Sequence, residues 1–208
     1  MGECFDHLLS PLSIGRLKLK NRMIVAPMGA FHNMQRGPHF EYSDEMIEYI
    51  TERGKGGFGM FICSTLKPDY LVDPCDPDMH FLKHKADFRS MALRLNERAG
   101  YYDMKVMQQL TLGQGRNYRG MYSSSENPVF WDPSEQAPAL TKDQIRQKLD
   151  CFIEGAALMK DSGFAGIEVH ALHWGYLLDN FAMSLTNHRE DEYGGCPENK
   201  PPPPQEII

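Results

Sequence analysis

Residues 141–170 read TKDQIRQKLDCFIEGAALMKDSGFAGIEVH and predict one helix followed by one strand. Thr141 and Gln144 have the spacing of a capping box, in which each side chain accepts a hydrogen bond from the other residue's backbone N–H. Behind that box, apolar residues recur at the spacing of one helical face, and Gly163 follows as a stop. The short run at 166–170, GIEVH, is then a strand. A helix that leads directly into a strand is part of a β/α unit, so this stretch favours an α/β fold.

The same alternation extends back towards the N-terminus. Further strands are predicted at 23–28, 60–65 and 105–110, and further helices at 43–54 and 84–99. Because each crossover helix returns the chain to the same end of the sheet, we expect parallel strands that are buried on both faces. The long, aperiodic stretch at 113–139 follows the end of a strand, where α/β folds place binding loops.

Composition excludes several classes of protein. The chain has 208 residues, 41% of them hydrophobic, which suffices for one domain with a substantial core. A net charge of -6 makes it a poor candidate for nucleic-acid binding. No apolar stretch approaches a bilayer span, and no secretory leader is recognisable. The five cysteines never form a CxxC pair, so we interpret them as free thiols of a cytoplasmic protein without a zinc or iron–sulfur site.

The chemically promising residues follow the last predicted strand. His170, His173 and Tyr176 lie within seven residues and provide two hydrogen-bond donors and a proton, the set that polarises a carbonyl and quenches a carbanion. An alternative is that His170 is a buried core residue and Tyr176 a packing aromatic. A metal site held by the two histidines is a third interpretation, but no third ligand lies nearby in sequence.

Four blocks make the sequence similar to a known family. They read LKNRMIVAPMG, QQLTLGQGR, GFAGIEVHALHWGYLLDNF and SLTNHREDEYGG. On these blocks the chain resembles the Old Yellow Enzyme family of flavin-dependent ene-reductases. It is most similar to the clostridial branch of enoate reductases, bile-acid enone reductases and dienoyl-CoA reductase-like proteins. The resemblance implies an α/β fold of the (β/α)8 TIM barrel family, with FMN as cofactor and NAD(P)H as reductant.

The resemblance also implies roles for individual residues. His170 and His173 match the pair that grips the carbonyl oxygen of an enone or enoate, and Tyr176 matches the proton donor. Arg116 is a weaker candidate for supporting the site. The flavin-binding positions are matched by Ala26, Pro27, Met28, Gly29, Thr65 and Gln109, and His170 would also contact the flavin.

Three positions depart from the family pattern. Gly29 stands where many members have Cys or Thr, and Thr65 stands where a small residue faces the flavin. The loop HALHWGY is one residue longer than the HxxHGY form, and its Trp174 is either a substrate wall or an aromatic that covers the barrel rim.

The end of the sequence departs most. After YGG the family pattern gives way to four prolines, and the chain ends at Ile208. Because a barrel of this type needs roughly 250 residues, we expect about the first four β/α units, a half barrel. Residues 1–200 would be the N-terminal part of the FMN-binding barrel domain, and residues 201–208 an aberrant or truncated tail. An iron–sulfur cluster and FAD are expected only in a full-length parent.

The expected function is hydride transfer from NAD(P)H through flavin to the C=C bond of an α,β-unsaturated carbonyl compound. The alternative is a catalytically inactive half barrel that lacks the flavin phosphate site. A homo-oligomer, including two half barrels that close into one, is left open.

Overall fold

The computed structural model describes residues 5–28, 42–76, 78 and 80–194. The chain forms two compact units by its internal contacts. The first comprises Met1–Leu66, Asp78–Gln109 and Ala156–Glu168, and the second Lys67–Pro77, Leu110–Gly155 and Val169–Ile208. The elements in chain order are α1 (Asp6–Leu9), β1 (Leu12–Ile14), β2 (Leu17–Leu19), β3 (Ile24–Val25), α2 (Asp44–Lys55), β4 (Met60–Leu66), α3 (Lys85–Gly100), β5 (Lys105–Leu110), a 3-10 turn (Gly115–Asn117), β6 (Asn127–Pro128), β7 (Gln136–Ala137), α4 (Lys142–Asp161), β8 (Ile167–Val169) and α5 (Leu177–Ala182).

The main sheet has four strands in the order β3-β4-β5-β8. Strand β3 pairs with β4 in parallel, with Ile24 opposite Met60. The expectation of strands buried on both faces holds best for the two inner strands, β4 and β5, where most residues are buried. It is wrong for β3 and β8, because each lies at an edge of this sheet and its residues stay partly or fully exposed.

The helices begin and end close to the predicted positions. Ser43 caps α2, since its hydroxyl accepts a hydrogen bond from the Met46 N–H at 3.2 Å. At the start of α4 the capping box is confirmed: Thr141 Oγ1 accepts from the Gln144 N–H at 3.2 Å, and Gln144 Oε1 accepts from the Thr141 N–H at 2.9 Å. Gly163, with φ +82°, follows the end of α4 in a left-handed conformation that glycine adopts freely.

The predicted loop at 113–139 has structure of its own in the second unit. It contains the 3-10 turn and two short antiparallel strands, β6 and β7, in which Asn127 pairs with Ala137. The unit also buries one cation: the Lys148 ammonium lies 2.5 Å from an Asp69 oxygen and 2.8 Å from an Asp73 oxygen, with all three side chains almost wholly inaccessible. In the described part of the chain, no helix combines the length and apolar character that crossing a membrane requires.

Candidate functional site

The loop between β8 and α5 brings the three predicted reactive side chains together. The ring centroids of His170 and His173 are 5.1 Å apart, and those of His170 and Tyr176 are 4.7 Å apart. The His173 and Tyr176 rings lie 5.5 Å apart and almost perpendicular. The first histidine is anchored through its backbone, because the His170 N–H donates to the Leu110 carbonyl at 2.8 Å. Two imidazoles and one phenol therefore form a compact cluster at the end of a strand.

The backbone that carries this cluster turns sharply before α5. Trp174 and Gly175 both have positive φ, +52° and +85°. Both backbone groups of Gly175 are bonded to α5: its N–H donates to Asp179 Oδ2 at 2.8 Å, and its carbonyl accepts from Asn180 Nδ2 at 3.0 Å. Tyr176 occupies the N-cap position of α5, so the two hydrogen bonds to Gly175 also fix the position of the Tyr176 backbone.

Asn180 links this loop to the segment after β5. It is fully buried, and its Oδ1 accepts from the Arg116 N–H and from the Ser123 hydroxyl, both at 3.1 Å. The glycine of the QGR block, Gly115, is required by close packing, because a Cβ at this position would lie 2.5 Å from the Gly175 carbonyl oxygen. Asp179 and Asn180 were not predicted to be functional residues. Their signal was the presence of two adjacent polar residues inside the apolar run LLDNF.

Burial shifts the pKa of two of these side chains, His170 and Tyr176. Burial lowers the pKa of His170, and the neighbouring His173 lowers it further. Burial raises the pKa of the Tyr176 phenol, with an additional contribution from Tyr118. His170 is therefore a neutral imidazole with one N–H near neutral pH, and Tyr176 keeps its proton.

Arg116, the weaker candidate, packs beneath this loop. Its Nη1 donates to the Pro128 carbonyl at 2.9 Å, and its guanidinium lies 5.4 Å from the centre of the Phe130 ring. The buried Arg116 Nε has no hydrogen-bond partner within the described residues.

The predicted flavin positions lie in the first unit, on three neighbouring strands. Ala26, Pro27 and Met28 follow β3, Thr65 lies near the end of β4 and Gln109 near the end of β5. Gly29 lies outside the described residues. Parallel neighbouring strands end at one edge of a sheet, so the topology places these residues along that edge.

The donor set at this edge suits a planar ring with a polar rim. Met28 is about half exposed and Pro27 partly exposed, which leaves an apolar surface open. The buried Thr65 hydroxyl has no hydrogen-bond partner in the described part of the chain. The Gln109 amide nitrogen donates to Glu168 Oε1 at 2.6 Å, which fixes the orientation of its side chain. These residues fit the isoalloxazine ring of a flavin.

Comparisons with known proteins agree on the family. The profile of the NADH:flavin oxidoreductase / NADH oxidase family matches residues 7–208. The chain is 33% identical to a cinnamate reductase of Clostridium sporogenes over 96% of its own length and 31% of that protein. It is 30% identical to an NADPH dehydrogenase of Bacillus pumilus, with coverage of 93% and 56%. The chain thus spans 31% of the first of these curated relatives and 56% of the second.

Solved structures give the fold. An Old Yellow Enzyme from Pichia sp. AKU4542 superposes with a TM-score of 0.77 at 22% identity, over 97% of this chain and 55% of that one. A 2-naphthoyl-CoA reductase superposes with the same TM-score at 21% identity, over 98% and 33%. The parallel sheet with its helices is accordingly part of an α/β barrel of the Old Yellow Enzyme type. The chain belongs to the NADH:flavin oxidoreductase / NADH oxidase family.

Proposed function

We propose that the protein is an FMN-dependent ene-reductase, which uses NAD(P)H to reduce the C=C bond of an α,β-unsaturated carbonyl compound. The cluster of His170, His173 and Tyr176 is the observation that carries the proposal. A relative is named cinnamate reductase, and cinnamate is a compound of this class. Residues 1–200 would then be the N-terminal part of the FMN-binding domain. The proposed tail at 201–208 lies outside the described residues.

The flavin would rest against Ala26, Pro27 and Met28, with Thr65 and Gln109 at its polar rim. When bound, FMN supplies the hydride that reduces the alkene. The unpartnered hydroxyl of Thr65 supports this assignment, because a buried hydroxyl without a hydrogen bond is costly and a ligand acceptor or donor would satisfy it.

The two imidazoles would hold the substrate's carbonyl oxygen. Negative charge grows on that oxygen as the alkene accepts hydride, so an N–H donor stabilises the transition state more than the ground state. His170 suits this task because its lowered pKa keeps it neutral, with an N–H to donate and no charge that would depend on pH in the neutral range. The 5.1 Å spacing of the rings allows both to reach one oxygen.

Tyr176 would supply the proton to the α-carbon. Its raised pKa keeps the phenol protonated at neutral pH, and its ring stands edge-on to both imidazoles. A proton donor beside the carbonyl site completes the reduction of the C=C bond.

The test separates the two half-reactions. In Tyr176→Phe we expect NAD(P)H to reduce the flavin at an unchanged rate, while reoxidation by an enone slows by about 10²- to 10⁴-fold, the range for losing a general acid. Equal slowing of both half-reactions would contradict the proton-donor role. Replacing His170 and His173 together with Ala should weaken the binding of phenols that mimic the carbonyl, and unchanged affinity would remove them from the oxyanion site.

A second candidate function is suggested by the share of its relatives that the chain spans. Because the chain spans 31% and 56% of two relatives, the alternative is an inactive half barrel that does not retain FMN. Purified chain that is yellow and holds near-stoichiometric FMN would support the ene-reductase. Colourless chain that does not take up added FMN would support the alternative.

A further inference from the structure

Three aromatic side chains next to the reactive loop form an aromatic shelf, which we define as Phe130, Trp131 and Trp174. The Trp131 and Trp174 rings stack at 5.7 Å with an interplanar angle of 25°, and Phe130 meets them edge-on at 4.7 Å and 5.8 Å. Trp131 is nevertheless 67% exposed and Trp174 56% exposed. Contiguous exposed aromatic surface on a protein usually marks a binding site.

The shelf is held in place by specific contacts. The Trp131 indole N–H donates to Asn117 Oδ1 at 2.7 Å, which fixes one ring. Trp174 has φ +52°, a left-handed conformation that a bulky residue adopts only at an energetic cost. Strained residues of this kind cluster at functional sites, where the surrounding structure enforces them. Trp174 therefore combines a strained backbone with an exposed indole.

The shelf continues into the His/Tyr cluster through His173. The centroids of the His173 and Trp174 rings are 6.3 Å apart. An open cleft of about 370 Å³ borders Phe130 and Trp174 of the shelf and His173 of the cluster, a volume within the range of small-molecule pockets. It is lined by Arg116, Phe130, Leu172, His173, Trp174, Gly175, Asp179 and Met183.

We propose that the aromatic shelf binds the aryl group of an aryl-substituted α,β-unsaturated acyl substrate. This inference rests on the proposed function, which puts the carbonyl oxygen on His170 and His173. In such a substrate only the two alkene carbons separate the carbonyl from the ring, a separation on the scale of the spacing between His173 and Trp174. The arene would stack on the exposed indoles, whereas an aliphatic enoate would leave them uncovered.

The composition of the chain provides a direct reporter. Trp131 and Trp174 are its two tryptophans, so chain labelled with fluorotryptophan gives two fluorine NMR signals, which Trp131→Phe and Trp174→Phe assign. We expect trans-cinnamate to shift both signals in a saturable manner. Crotonate, which has the same enoate without the ring, should leave them in place at concentrations that reoxidise the reduced flavin.

Affinity measurements with variants complete the test. Removing one stacking partner should weaken cinnamate binding roughly 2- to 12-fold in Trp131→Leu or Trp174→Leu, and weaken crotonate binding by a smaller factor because crotonate has no ring to stack. Trp131→Phe keeps an aromatic face and should restore most of the affinity. Tyr101→Leu removes an exposed aromatic of the first unit, at the end of α3, and is the matched control with no expected change.

The outcomes separate the two proposals. If crotonate reoxidises the flavin but cinnamate shifts neither signal and binds the Leu variants equally well, the shelf inference is overturned while the ene-reductase stands; the shelf then packs against another part of the protein or a partner. If neither acid reoxidises the flavin, the proposed function fails and the inference falls with it.

Discussion

The replacement Lys148→Met tests whether a buried ion cluster stabilises the second unit. The Lys148 ammonium contacts Asp69 at 2.5 Å and Asp73 at 2.8 Å, and also lies 3.3 Å from the Leu112 carbonyl. Methionine has a similar length and no charge, so it preserves the packing of the stem while removing the cation.

The expected loss is large because two carboxylates stay behind. Both are at most 2% exposed, and Asp73 would keep only the weaker contact with Lys67 at 3.5 Å among the ion pairs of the described residues. Removing one partner of a buried ion pair typically costs about 3–5 kcal/mol, since the remaining charge is desolvated without compensation. Against a total stability of roughly 5–15 kcal/mol for a domain, we expect a clear shift of the unfolding midpoint.

Denaturant titrations of the wild type and variant measure this loss. Lys142→Met is the matched control, because the Lys142–Glu192 pair is about half exposed on both sides and such pairs contribute little. We expect no resolvable change in the control. A Lys148→Met variant with the stability of the control would refute the reasoning.

The pH dependence gives a second, independent test. Burial alone would raise the pKa of Asp69, but Lys148 and backbone N–H donors outweigh it, so the pKa is lowered overall. The stabilisation from this group is therefore present above the unfolded pKa of about 3.9 and lost as pH falls through the lower folded value. Without Lys148 the pKa of Asp69 rises, and the gap between the two proteins should narrow as acid protonates the carboxylate. A gap independent of pH would contradict a charge effect.

Three further changes probe the site and its support. His173→Gln should raise the pKa of His170 only part of the way to its ordinary value, because burial is the larger cause; imidazole NMR titration measures it. Asn180→Leu should cost at least about 2 kcal/mol in chemical denaturation, because it leaves the buried Ser123 hydroxyl and the Gly175 carbonyl without this partner. Thr141→Ala should cost about 1 kcal/mol by the loss of a helix cap, and Thr141→Ser should not.

The bounds of helices α2 to α4 and of strands β4, β5 and β8 were predicted to within about two residues, whereas those of the edge strand β3 were not. The bounds of α2, α3 and α4 are encoded by nearby residues, such as the cap of Ser43 and the capping box that Thr141 begins. A strand ends where its partner ends, which no local pattern specifies. The apolar run at 23–28 therefore predicted six residues of strand, whereas β3 has two, Ile24 and Val25.

The candidate site shows the same contrast between features set by nearby residues and features set by distant ones. His170, His173 and Tyr176 could be predicted to lie together because one short loop carries them after a strand. The stacking of Trp131 on Trp174 could not, since it joins distant parts of the sequence. The sequence is compatible with Trp174 as either a substrate wall or an aromatic that covers the barrel rim. Its stacking on Trp131 beside His173 supports the first interpretation.

The turn at Trp174 and Gly175 couples the shelf to the proton donor. If Trp174 relaxed to an ordinary φ, the peptide that joins it to Gly175 would rotate, and the Gly175 N–H bond to Asp179 would break. Tyr176 directly follows that bonded glycine, so its side chain would move as well. The two bonds to Gly175 therefore offset the strain at Trp174 and also fix the origin of the Tyr176 side chain. In this loop the groups proposed to select the substrate and to protonate it are oriented by the same contacts with α5.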